Sequence, residues 1–127
     1  MSIEYEKSEN GEYEHMAITQ KIIDMIEYGH LALKQYEKSE KLSLCLDIKR
    51  CYYAMLRHAL AAEKKYYKKT TLQELDTELA TLKVYTRLSH DLGFLPPKKY
   101  EHWTKLNVEI GKMLGGWIQT NAEKPVK

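Results

Sequence analysis

Residues 64–71, Lys-Lys-Tyr-Tyr-Lys-Lys-Thr-Thr, place four lysines around two tyrosines in eight positions. Lysines neutralise phosphates without reading sequence, and tyrosine rings stack on unpaired bases. The chemistry offered is therefore non-covalent holding of a nucleic-acid strand. Arg50, Arg57 and Lys64 recur every seven residues, and Lys83 and Arg87 stand one helical turn apart. With Lys65, Lys68 and Lys69 they make up the candidate binding set. The same pattern also fits solvated helix faces with Tyr66 and Tyr67 closing the end of a core, and residue types alone leave both readings open.

Chemistry of other kinds finds less support. Glu12/His15 and Glu27/His30 have the Glu-x-x-His spacing of di-iron bundles. Both pairs fall on one helix, about 22 Å apart along its axis, so they cannot share a dinuclear site, and later segments supply no matching ligands. Cys45 and Cys51 lie six apart, a spacing of neither a zinc pair nor a redox CxxC, and are expected as two buried thiols. Ribonucleases of the HEPN type pair an arginine with a histidine four to six residues on; Arg87 to His90 is too short and Arg50 to His58 too long. Gly111-Lys-Met-Leu-Gly-Gly116 lacks the order of a phosphate loop. A non-enzyme without metal or cofactor is the expectation.

These residues must be carried by helices. The chain has 127 residues, 43% hydrophobic and 30% charged, which fits one soluble domain. No strand-like alternation and no membrane-spanning apolar run occur, and the first residues lack a basic then apolar leader, so a cytoplasmic location is expected. Charge is uneven. Residues 1–40 hold nine acids against four lysines, a net of −5, whereas 41–127 carry sixteen cations against nine acids, +7. That polarity suits later helices that meet a polyanion. Apolar periodicity and stop signals predict an all-α, antiparallel up-down-up-down four-helix bundle with helices over 12–37, 40–65, 71–93 and 97–121. Ser39 is the expected N-cap of the second helix, Thr71-x-x-Glu74 a capping box for the third, and Pro96-Pro97 the start of the fourth.

Two patterns point beyond a monomer. The second helix has a core stripe of Cys45, Ile48, Tyr52, Met55, Ala59 and Ala62, and a second apolar stripe of Leu46, Tyr53 and Leu60 on roughly the opposite side. The first helix likewise has two stripes, one through Met16, Ile23, Ile26 and Leu33, the other through Ile18, Ile22, Met25, Ala32 and Tyr36. Surplus apolar surface of this kind argues for an oligomer, with Leu46, Tyr53 and Leu60 as interface residues. Gly111, Gly115 and Gly116 interrupt the fourth helix at about 0.5–1 kcal/mol each, so a close helix contact is expected there.

Lys65-Tyr-Tyr-Lys-Lys-Thr-Thr-Leu72, Leu75-Asp76, Leu79, Leu82-Lys83, Arg87-Leu88, Leu92, Lys99-Tyr100 and Glu109-Ile-Gly-Lys-Met-Leu-Gly-Gly-Trp-Ile118 resemble the accessory variability determinant (Avd) proteins of diversity-generating retroelements. Those proteins stand within a wider four-helix-bundle family that includes proteins encoded in ribosomal intervening sequences. The resemblance implies a non-catalytic homopentamer, barrel-like, that associates with the retroelement reverse transcriptase and its template RNA during mutagenic cDNA synthesis. It also implies a role for basic residues of the third helix, at the positions of Lys83 and Arg87. A stand-alone RNA-binding or assembly bundle of the intervening-sequence type is the alternative, and a ribonuclease is a more distant one.

Overall fold

A computed structural model describes residues 12–122, with side chains from Ala17 onward. Four helices follow in order: α1 (Glu12–Leu33), α2 (Leu44–Lys64), α3 (Lys69–Asp91) and α4 (Pro97–Ala122), with a short 3-10 turn at Lys38–Glu40. No strand occurs among the described residues. Each helix packs against the next, and α4 returns to α1. Contacts between neighbours run in opposite directions along the chain: Thr19 meets Glu63 while His30 meets Tyr52, and Lys21 meets Glu109 while Tyr28 meets His102. The result is the antiparallel four-helix bundle that the periodicity predicts.

The core follows from the stripes. All six α2 stripe residues are buried, as are Leu72, Leu75, Leu79, Leu82, Thr86 and Ser89 of α3. In α1 the choice between two stripes falls on Ile18, Ile22, Met25 and Ala32, joined by Leu33, with Tyr36 buried just past the helix end, while Ile23 and Ile26 are only partly buried. Trp103, Ile110, Leu114 and Trp117 of α4 complete the core, with Asn107 among them.

Helix ends differ from the sequence expectation. The first helix stops at Leu33 rather than 37, where the Lys41 ammonium donates to the Leu33 carbonyl at 2.5 Å. The second starts at Leu44 behind Ser43, so Ser39 is no N-cap; it belongs to the 3-10 turn. The third starts at Lys69, which draws Thr71 into the first turn, where it is buried and accepts a hydrogen bond from Lys65 Nζ at 2.9 Å. The Thr71/Glu74 capping box therefore does not form. Glu74 faces His58 instead, at 3.5 Å.

The close-packing glycine is Gly29 of α1. A Cβ there would come within 3.0 Å of both the Tyr52 and the Trp103 rings, two fully buried side chains. Gly111 makes ordinary contact, 3.6 Å to Leu79 and 3.4 Å to Lys83 Nζ from the position its Cβ would take. Gly115 and Gly116 are exposed, with nothing within 4 Å of such a position. The close contact expected along α4 is thus absent within the protomer at 115 and 116, and nothing in the described residues explains that pair.

Candidate nucleic-acid interface

The candidate cations divide among three places. Arg50, Arg57 and Lys64 are exposed along the outer side of α2. Arg50 is 3.8 Å from Asp47, a loose pair between exposed groups that contributes little. Beside them Leu46 is half-buried, and Tyr53 and Leu60 are 39% and 42% exposed. Tyr53 and Leu60 thus stand outside the core, on the same side of α2 as the cations.

The turn between α2 and α3 forms the second place. Lys65 and Lys69 are exposed, and Lys65 is tied to Thr71. Tyr66 and Tyr67 are 64% and 67% exposed and pack edge-on against each other with ring centroids 4.8 Å apart. They do not close the core but stand out from it as an exposed aromatic pair. Lys68 behaves differently from its neighbours. It is buried, and its ammonium donates to the carbonyls of Ala62, at 2.5 Å, and Lys65. Both carbonyls lie at the C-terminal end of α2, where a cation is favoured by the helix dipole. The charge of Lys68 thus serves the helix end, and this residue leaves the outward-facing set.

Lys83 and Arg87 occupy the third place, the groove between α3 and α4. Both are exposed, and Arg87 Nε lies 3.8 Å from Asp91. An upper groove of about 300 Å³ runs past Lys83, Val84, Arg87, Tyr100, Asn107 and Val108. A lower one of about 330 Å³ runs past Asp76, Lys83, Gly111 and Lys112. Lys83 borders both. The Tyr100 ring is held by a parallel stack on His90, with centroids 4.5 Å apart and an interplanar angle of 4°. His90 Nδ1 in turn lies 3.0 Å from the Leu95 carbonyl. The ring at the groove edge is therefore fixed in orientation before any ligand arrives.

Two features here went unread in the sequence. Val84, Leu88 and Leu92 are 62%, 41% and 56% exposed along one side of α3, with Val108 of α4 at 41%. Their four-residue spacing was legible and gives α3 an outer apolar stripe like that of α2. Asn107 was hidden because a polar residue breaks an apolar stripe; its position four residues after Trp103 and three before Ile110 marks it as inward-facing.

The remaining histidines and cysteines have ordinary surroundings. His30 sits between two tyrosines, with Nδ1 at 2.5 Å from Tyr52 Oη and Nε2 at 3.2 Å from Tyr53 Oη. The side chains of Glu12 and His15 lie outside the described residues. Among those described, no group of three or more His, Cys, Asp or Glu is placed to hold a metal ion. Cys45 and Cys51 are buried free thiols. Burial, reinforced by the Glu78 carboxylate, pushes the Cys51 thiol up to about 12, and the thiol donates to the Glu78 backbone carbonyl at 3.0 Å. His58 and His90 stand at separate sites, on Glu74 and on Tyr100. Among the described residues no helix is long and apolar enough to cross a membrane.

No curated protein matches this chain. The model of a family described as bAvd-like matches residues 16–121, from the early turns of α1 to the end of α4 and across all three basic places. On that match, and on a four-helix fold that agrees with it, the chain belongs to the bAvd-like family.

Proposed function

We propose that this chain is a non-catalytic accessory protein of a diversity-generating retroelement, acting in the cytoplasm. It binds the element's reverse transcriptase and template RNA through its exposed basic surface and supports mutagenic cDNA synthesis. The observation that carries the reading is the family match over residues 16–121. Exposed Lys83 and Arg87 at a groove with a fixed aromatic ring, and Lys65 and Lys69 beside two exposed tyrosines, supply surfaces with the required chemistry.

The working form is a homo-oligomer, a pentamer by family resemblance, joined through the outer apolar stripe of α2. Tyr53 and Leu60 are the exposed anchors of that stripe, and Leu46 continues it. A surface mixing apolar residues with Arg50, Arg57 and Lys64 can bury its apolar part against a second copy and leave cations at the rim.

Charge reversal tests the binding role. Lys83→Glu with Arg87→Glu should weaken association with both reverse transcriptase and RNA by at least ten-fold at moderate salt, with the oligomer mass unchanged. Wild-type-like binding by this double variant would remove the α3–α4 groove from the interface. RNA binding with no affinity for any reverse transcriptase encoded nearby would favour a stand-alone RNA-binding bundle.

A further inference from the structure

Asn107 lies on the core face of α4 with none of its surface exposed, yet neither its Oδ1 nor its Nδ2 has a hydrogen-bond partner among the described residues. Buried amides are almost always paired, so an unpaired one asks what pairs it. Asn107 borders the upper α3–α4 groove, in company with Thr104 and Tyr100 and with Lys83 and Arg87 at the mouth. Its volume, about 300 Å³, is at the small end of sites for organic ligands.

The donor inventory narrows the occupant. An asparagine amide presents an acceptor and a donor side by side. A carboxylate only accepts, so it would satisfy Nδ2 and leave Oδ1 unpaired, and a free phosphate, which keeps a P–OH donor at neutral pH, is a single group that cannot sit on the amide and also meet Lys83 and Arg87 at the mouth. A peptide amide would satisfy both atoms but bring no anion to Lys83 and Arg87. A nucleotide does all of this: a base edge carries adjacent donor and acceptor groups, and its phosphate meets the cations. We infer that the α3–α4 groove receives a single unpaired nucleotide of a bound strand, with its base edge on the Asn107 amide and its phosphate at Lys83 and Arg87.

The inference rests on the nucleic-acid reading above and adds to it a base contact, a residue and a preference for unpaired strands, since a duplex keeps its base edges engaged. Entry requires groups at the mouth to turn aside. Lys83 and Arg87 are the long exposed chains there. Lys83 has room to swing, because Gly111 offers no side chain on the other side of its ammonium. Tyr100, pinned by His90, supplies an aromatic edge to the cavity.

The test follows the Asn107 side-chain amide resonance in the full chain during titration with AMP, CMP, GMP and UMP, and separately with inorganic phosphate. The nucleotides should shift it, whereas phosphate alone should leave it in place. In parallel, Asn107→Leu should weaken binding of a short unpaired RNA about ten-fold, the scale of one bidentate base contact. It should leave duplex binding and the salt dependence unchanged. A silent Asn107 resonance in a protein that still binds RNA, or unpaired RNA held equally by Asn107→Leu, overturns the base site and leaves the proposed function standing. A wild-type chain that binds no RNA overturns both. The titration uses wild-type protein, so it decides even if the variant misfolds.

Discussion

At the scale of single residues, the informative positions are those where a side chain disagrees with its surroundings. Gly29 is one, wedged between the Tyr52 and Trp103 rings. Gly29→Ala gains about 1 kcal/mol of helix propensity but must displace two buried rings, so a net loss of about 1–2 kcal/mol is expected in urea unfolding. Asn107 is the opposite case. Asn107→Leu relieves an unpaired buried amide and should stabilise the fold by about 1 kcal/mol or more, read as a higher melting temperature. Cys51 gives a pH dependence. Its folded pKa, about 12, lies above the unfolded value of about 8.5. The stability it contributes is therefore intact below about pH 8.5 and is lost as pH rises toward 12. Native Cys51 should resist alkylation near pH 9, where the unfolded chain reacts readily. The sequence showed that both cysteines would be buried, because they fall on or beside an apolar stripe. It did not show Gly29, because what matters there is the pair of rings opposite on other helices, nor Asn107, because a polar residue breaks the apolar stripe on which it lies.

At the scale of elements, the α2 and α3 cores were legible residue by residue because a 3.6-residue period leaves one face apolar. Helix ends were less so. A Thr-x-x-Glu pattern predicts a capping box, yet α3 begins two residues earlier. There the buried Lys68 ammonium binds the last carbonyls of α2 and fixes the turn from the other side. Lys68→Met should therefore cost about 1–3 kcal/mol of stability, because it leaves buried carbonyls without their donor. Its RNA affinity at fixed salt should stay near wild type, since this cation faces inward. Lys69→Met should do the reverse, keeping the stability and losing some affinity. Of the candidate site, Lys83 and Arg87 share a groove as their one-turn spacing implied. Arg50 and Arg57 lie apart on α2, a separation that depends on how the helices are arranged around the bundle axis.

At the scale of the molecule, charge and apolar surface are unevenly distributed. The net charge is +2, but the chain is acidic to residue 40 and basic thereafter, and the basic part carries both exposed apolar stripes, on α2 and α3. Tyr53 and Leu60 on one side, Leu88 and Leu92 on the other, are exposed on two separate surfaces, which fits the proposed function. Self-association and polymerase binding together would use them. Fold and family were both readable from the sequence, since bundle periodicity and the Glu109–Ile118 segment are local patterns. Stoichiometry was not, because no local pattern encodes the angle at which one copy meets the next. The most direct measurement is the mass by light scattering of the chain alone, then after mixing with the reverse transcriptase and template RNA of the retroelement proposed for it. A pentamer that co-elutes with both is the expected result. A monomer at tens of micromolar that binds neither would contradict the account.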